Sequence, residues 1–201
     1  MKTLLAAALT ASLTFAGAAA HAAATVGQPA PAFTLTDTKG TEHSLSDFAG
    51  KTVVLEWFNH ECPFVKKHYG AGNMQKQQAA ATGQGVVWLV VNSSAPGKQG
   101  HVNAEQANAI LGEWKSTPTA FLLDHDGTVG RAYGAKTTPH LFVIDGTGVL
   151  RYNGAIDSNP SADAADIPGA TQYVEAALGD LAANRPVARA TTQPYGCSVK
   201  Y

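Results

Sequence analysis

Cys62 stands where a chain can build a reactive thiol. In Val53 to Gly70, VVLEWFNHECPFVKKHYG, an apolar run delivers a cysteine followed at once by a proline and a helical pattern. A cysteine at a helix N-cap faces unpaired backbone N–H groups and the positive end of the helix dipole, and both favour thiolate over thiol. Pro63 suits the first helical position, and Lys66 and Lys67 add positive charge one turn on. This setting weighs Cys62 toward nucleophilic chemistry and away from the small buried hydrophobe that a free cysteine more often is. His60, two residues earlier, is a candidate local base or thiolate partner; the competing reading is a polar loop residue.

Two further residues bear on that thiol. Glu56 interrupts the apolar run, so its carboxyl is paired, protonated or near a site, or else it reaches water at a strand end. Cys197, in PYGCSVKY near the C-terminus, is the only other cysteine. It is the one intrachain candidate to resolve a sulfenic acid or mixed disulfide at Cys62. A purely structural bond that pins the tail is the alternative, and closing so long a loop is worth up to about 4 to 5 kcal/mol in the chain-entropy picture.

The elements that must position these residues follow from periodicity and turn signals. Phe33 to Leu45 alternates around Lys39-Gly40 and predicts a hairpin, and Val53 to Phe58 reads as a strand covered on both faces. A helix is expected from Cys62 to about Ala81, ending at Gly83 and Gly85, then a buried strand at Val86 to Val91. Asn103 to Trp114 predicts a helix opened by an Asn103/Gln106 capping box. Two similar pieces follow, STPTAFLLDHDGT and TTPHLFVIDGTGV, each with Thr-Pro before an apolar run. Leu150 to Ala155 is expected to complete a hairpin, Thr171 to Ala183 a closing helix, and Val187 to Tyr201 has no periodicity. The order implies an α/β mixed sheet with helices on both faces, and no linker divides it.

Residues 1–22 carry Lys2, an apolar run and small residues around His21, which reads as a secretory signal peptide. Export implies an oxidising compartment, expected to be the periplasm, with no stable membrane span after cleavage. Without Lys2 the chain has 13 basic and 15 acidic residues, and no basic patch argues for nucleic acid. No pattern calls for a cofactor.

Together these residues resemble the thioredoxin fold and, within it, the peroxiredoxin-like (redoxin) branch, over residues 25–186, with 187–201 as a tail. In LEWFNHECPFV, Glu56 matches the thioredoxin acid, Trp57 and Phe58 the aromatics, and Cys62 the first cysteine; Val65 holds the place of the second. YGAKTTPHLFVID matches the family's cis-proline pattern, which assigns that role to Pro139 and not to Pro118. The resemblance implies a thioredoxin-like central mixed sheet with an N-terminal hairpin, a disulfide or hydroperoxide substrate, and an external thiol reductant. Where peroxiredoxins hold threonine or serine and proline, Asn59 and Leu55 stand, leaving Arg131 and Arg151 as the later arginines. A metal carrier using His60, Cys62 and His140 lacks a second thiolate at Lys66, and no metal site is assigned. The competing class is a non-catalytic redox sensor or a metal-binding or structural module on the same fold, with Cys62 and Cys197 bonded.

Overall fold

The computed structural model describes residues 23–201, so the expected signal peptide lies outside the described residues. The predicted N-terminal hairpin forms from β1 (Thr34–Asp37) and β2 (Glu42–Ser44). The central strand β3 (Val53–Trp57) leads through the Cys62 turn into α1 (Pro63–Gly70). Then come α2 (Asn73–Thr82), β4 (Val87–Asn92), α3 (Ala104–Glu113), β5 (Ala120–Leu123) and α4 (Thr128–Tyr133). The chain continues through β6 (Thr137–Thr138), β7 (His140–Ile144), β8 (Leu150–Gly154), α5 (Tyr173–Ala182) and β9 (Cys197–Ser198).

Seven strands form one mixed sheet in the order β2-β1-β5-β4-β3-β7-β8, with β3, β4 and β5 parallel and the other pairs antiparallel. Alternation along β3 sends Val54 and Phe58 into a core shared with α1, α2, α3 and α5. It sends Val53, Leu55 and Trp57 into the opposite core, closed by α4 and the 3₁₀ turn at Leu45–Phe48. This is the thioredoxin-like architecture expected. The register pairs Trp57 with His140, so the chain leaving β3 toward Cys62 and the chain reaching β7 through Thr138-Pro139 meet at one end of the sheet.

One expectation is corrected, and the tail acquires a structure that periodicity does not show. The single helix from Cys62 to about Ala81 is two helices, because Gly72 takes a left-handed conformation (φ 71°) that breaks the hydrogen-bond ladder after Gly70. The aperiodic tail is ordered: Asn153 exchanges backbone hydrogen bonds with Ala190 and Thr192, and Ala95 N–H donates to the Lys200 carbonyl at 2.8 Å. The tail is held by individual contacts and not by an amphipathic face, which is why periodicity carries no sign of it.

Candidate active site

Cys62 is the N-cap of α1, with Pro63 next to it and with the backbone extended (φ −70°, ψ 124°). The loop that presents it is braced by Asn59, whose carbonyl accepts from Cys62 N–H at 3.1 Å and whose Oδ1 accepts from Glu61 N–H at 2.9 Å. Gly100 packs so tightly on the Asn59 amide that a Cβ there would sit 2.2 Å from it, and Gly100 N–H also donates to Glu61. Asn59 therefore shapes the cysteine turn, at the position where a peroxidase would hold a hydroxyl.

The Thr138–Pro139 peptide bond is cis, and the Thr138 carbonyl lies 3.0 Å from Cys62 Sγ, positioned to accept from the thiol. The tail closes the site: β9 pairs antiparallel with β6, with Cys197 opposite Thr138, and Thr138 Oγ1 reaches the Cys197 carbonyl. Gly196 makes this approach possible, since a Cβ there would lie 2.0 Å from the Thr138 oxygen and its φ is +134°. Both cysteines are thiols in this structure, Cys62 fully buried and Cys197 partly exposed. Burial opposes ionisation of Cys62, but hydrogen bonds from the Cys197 thiol and N–H, the Val65 N–H and the Thr138 hydroxyl outweigh it and hold the thiol below its ordinary range. Cys197, desolvated and donating to Cys62, is pushed up to about 11. Val65, which has no sulfur to offer, contributes its N–H instead.

The remaining candidates fall in different places. Glu56 is fully buried on the Cys62 side of the sheet and accepts from Tyr69 at 2.7 Å, Trp88 at 2.8 Å and Gln78 at 3.2 Å. None of its hydrogen bonds reaches a cysteine. Desolvation raises its pKa to about 7 despite those donors. His60 lines a groove of about 560 Å³ with Lys66, Ile110, Glu113 and Trp114, and among the described residues its Nδ1 has no partner. Burial holds His60 below its ordinary value, with Lys66 acting the same way against Glu61. His140 has both ring nitrogens engaged, by Lys136 N–H at 3.2 Å and Asn153 Oδ1 at 2.8 Å, so it is not free to join a metal site. Arg151 pairs with Asp145, and Arg131 stacks on the Tyr201 ring at 4.6 Å; both guanidinium groups are engaged away from Cys62.

A cluster that sequence reasoning missed fixes the tail. Lys67 and His68 on α1 are buried, and both face Asp157, whose side chain is also buried. Tyr195, two residues before Cys197, donates to Asp157 Oδ1 and accepts from His68 at 3.1 Å. Asn73 donates to the other His68 nitrogen at 2.9 Å, and Lys67 donates to the Asn159 carbonyl at 3.1 Å. Desolvation lowers His68 to about 4, against the pull of Asp157, so it is neutral near pH 7, as the Asn73 donor requires. The only sequence signal was Tyr195 beside Cys197.

The redoxin family profile matches residues 25–171 of this chain. The chain belongs to the redoxin family. It is 32% identical over 129 residues to a thiol-disulfide oxidoreductase, ResA, of Geobacillus kaustophilus, covering 64% of this chain and 68% of that protein. It is 30% identical over 140 residues to the thiol:disulfide interchange protein DsbE of Escherichia coli, covering 68% and 69%. A solved structure of an uncharacterized conserved protein from Geobacillus kaustophilus superposes with a TM-score of 0.73 at 26% identity, covering 88% of this chain and 92% of that one. This redoxin therefore has relatives named for thiol–disulfide exchange and carries two free cysteines that both meet Thr138. Among its described residues, no helix is long and apolar enough to cross a membrane.

The raised Glu56 pKa has a measurable consequence. Between about pH 4.5 and 7 the folded protein holds a proton on Glu56 that the unfolded chain releases, so this group's contribution to stability falls as pH rises through about 7. His68 and His140, each lowered to about 4, push the opposite way between pH 4 and 6.5. The difference between wild type and Glu56→Gln isolates the carboxyl. The glutamine variant, which copies the protonated acid, is expected to gain roughly 3 kcal/mol on wild type between pH 4.5 and pH 8 in chemical denaturation. A pH-independent difference would show that Glu56 is ionised throughout.

Proposed function

We propose that this redoxin is an extracytoplasmic thiol–disulfide oxidoreductase whose redox pair is Cys62 and Cys197. The observation that carries the reading is the antiparallel pairing of Cys197 with Thr138, whose carbonyl lies 3.0 Å from Cys62 Sγ, so that the tail cysteine stands beside Cys62. Cys62 at the helix N-terminus supplies a stabilised thiolate, and Cys197 replaces the second cysteine that Val65 does not provide. Pro139 and Thr138 position both sulfurs, while Glu56 and His60 have no assigned step. Substrates are protein or small-molecule disulfides, and an external thiol returns the pair to its reduced form. Residues 1–22 direct export, which N-terminal sequencing of the mature protein would test.

Hydroperoxide reduction is the weaker use of the same thiol, since Asn59 braces a loop and Arg131 and Arg151 are occupied elsewhere. The reduced protein is expected to react with glutathione disulfide or a peptide disulfide at a rate that competes with hydrogen peroxide at equal concentration. Stopped-flow tryptophan fluorescence would measure both. A peroxide reaction more than about 100-fold faster would make the protein a peroxidase instead.

A further inference from the structure

Resting on the reading of Cys62 and Cys197 as the redox pair, we infer that the sulfur through which this protein meets its partners is Cys197, and that Cys62 is the inner sulfur that never bonds to them. Cys62 is 0% exposed, covered by the tail strand that carries Cys197, whereas Cys197 keeps part of its surface in solvent. Thiol–disulfide exchange is an in-line displacement: nucleophile, attacked sulfur and leaving sulfur lie along one axis, and access decides which sulfur is attacked. A thiolate attacking Cys197 approaches from outside with Cys62 behind it. A thiolate attacking Cys62 has to reach a sulfur that is 0% exposed and packed in the same buried core as Phe58, Val65 and Tyr69.

The energetics agree with this order. When an outside thiolate R–S⁻ attacks the Cys62–Cys197 bond, the Cys197–S–R bond forms, the bond to Cys62 breaks and its electron pair leaves on Cys62. That sulfur is the one met by the Val65 and Cys197 N–H groups, and a stabilised thiolate is the better leaving group. A second R–S⁻ then attacks the sulfur of R in the mixed disulfide; R–S–S–R forms, the Cys197 electron pair is released, and Cys197 takes a proton. Two outside thiols have lost two electrons and the cysteine pair has gained them. In the opposite direction the Cys197 thiol gives its proton to the Cys62 sulfur it contacts and attacks R–S–S–R′, forming Cys197–S–R and releasing R′–S⁻. Cys62 passes that proton to R′–S⁻, attacks Cys197 and releases R–S⁻.

The tail anchorage explains how Cys197 stays outermost. Tyr195 on one side is bonded to Asp157 and His68, and on the other the Tyr201 hydroxyl donates to the Ala135 carbonyl at 2.8 Å. Between these two fixed points the strand pairs with Thr137 and Thr138.

The test compares single-cysteine proteins. Cys62→Ser and Cys197→Ser are reacted with 5,5′-dithiobis(2-nitrobenzoate) across pH, and the plateau rates at full ionisation are compared. Cys197 in the first variant is expected to react at least about tenfold faster than Cys62 in the second. Adding Gly196→Ala to the Cys197→Ser protein, to push the tail off Thr138, is expected to speed Cys62 by a similar factor. Oxidised wild type mixed with glutathione and quenched in acid should carry glutathione on the Cys197 peptide. Glutathione on Cys62, or a Cys62 plateau rate equal to that of Cys197, overturns this inference while leaving the redox pair in place. Failure of oxidised wild type to contain a Cys62–Cys197 bond that glutathione opens overturns both.

Discussion

Replacing either Cys62 or Cys197 by serine is expected to cut catalysed disulfide exchange at least about 10³-fold, with the fold intact. The two losses should be equal within experimental error, because the pair acts as a unit: each sulfur completes a bond that the other cannot make alone. The variants differ in what they accumulate. Cys62→Ser leaves Cys197 to form a mixed disulfide that no inner thiol resolves, and Cys197→Ser leaves a covered thiol. The measurement is steady-state reduction of a peptide disulfide by dithiothreitol, with circular dichroism to verify folding. If Cys197→Ser retains a tenth or more of wild-type turnover, Cys62 works through an outside resolving thiol and the tail is only a cover.

The second large effect lies away from the sulfurs. Asp157→Ala is expected to destabilise the protein by about 3 to 5 kcal/mol, since it leaves the Lys67 ammonium, whose side chain is 0% exposed, without its buried counter-charge. For a domain of this size that is a fall of roughly 10 °C or more in melting temperature. The same substitution removes the acceptor of Tyr195 and so frees the tail near Cys197. Alkylation of Cys62 should therefore accelerate in Asp157→Ala under conditions where the protein remains folded. Tyr195→Phe separates the two effects: it keeps the Lys67–Asp157 pair and should cost only about 1 to 3 kcal/mol, with a similar rise in Cys62 alkylation. A Cys62 alkylation rate unchanged in both variants would show that these contacts do not hold the tail.

Much of the site's framework was legible in the sequence because short-range physics sets it. The Cys62-Pro63 junction, the Asn103/Gln106 capping box and the β1–β2 hairpin around Lys39-Gly40 each depend on residues within a turn of one another. The Thr138-Pro139 pattern was recognisable by resemblance, and the register of β3 on β7 then brings it to Cys62. The unbroken helix to Ala81 was misread because the apolar pattern continues through Met74 and Ala81, while the Gly-Ala-Gly break at residues 70–72 is a backbone effect. The burial of Lys67 and His68 was not legible for a different reason. Their burial depends on Asp157 and Tyr195, which are distant in sequence, and no local pattern marks a lysine whose partner arrives from a tail. Asn59 was visible only as a missing peroxidase residue, since its bracing of the loop depends on the close approach of Gly100.

The most direct test of the Cys62–Cys197 pair is to equilibrate the purified protein in glutathione buffers of graded potential, acid-quench, and map disulfides by mass spectrometry. The expected result is a single two-electron transition in which an intramolecular Cys62–Cys197 bond forms and opens reversibly. The exchange rate should fall away in either cysteine variant. A protein that stays fully reduced in glutathione disulfide, or a Cys62–Cys197 bond that resists excess dithiothreitol without denaturant, would contradict the account.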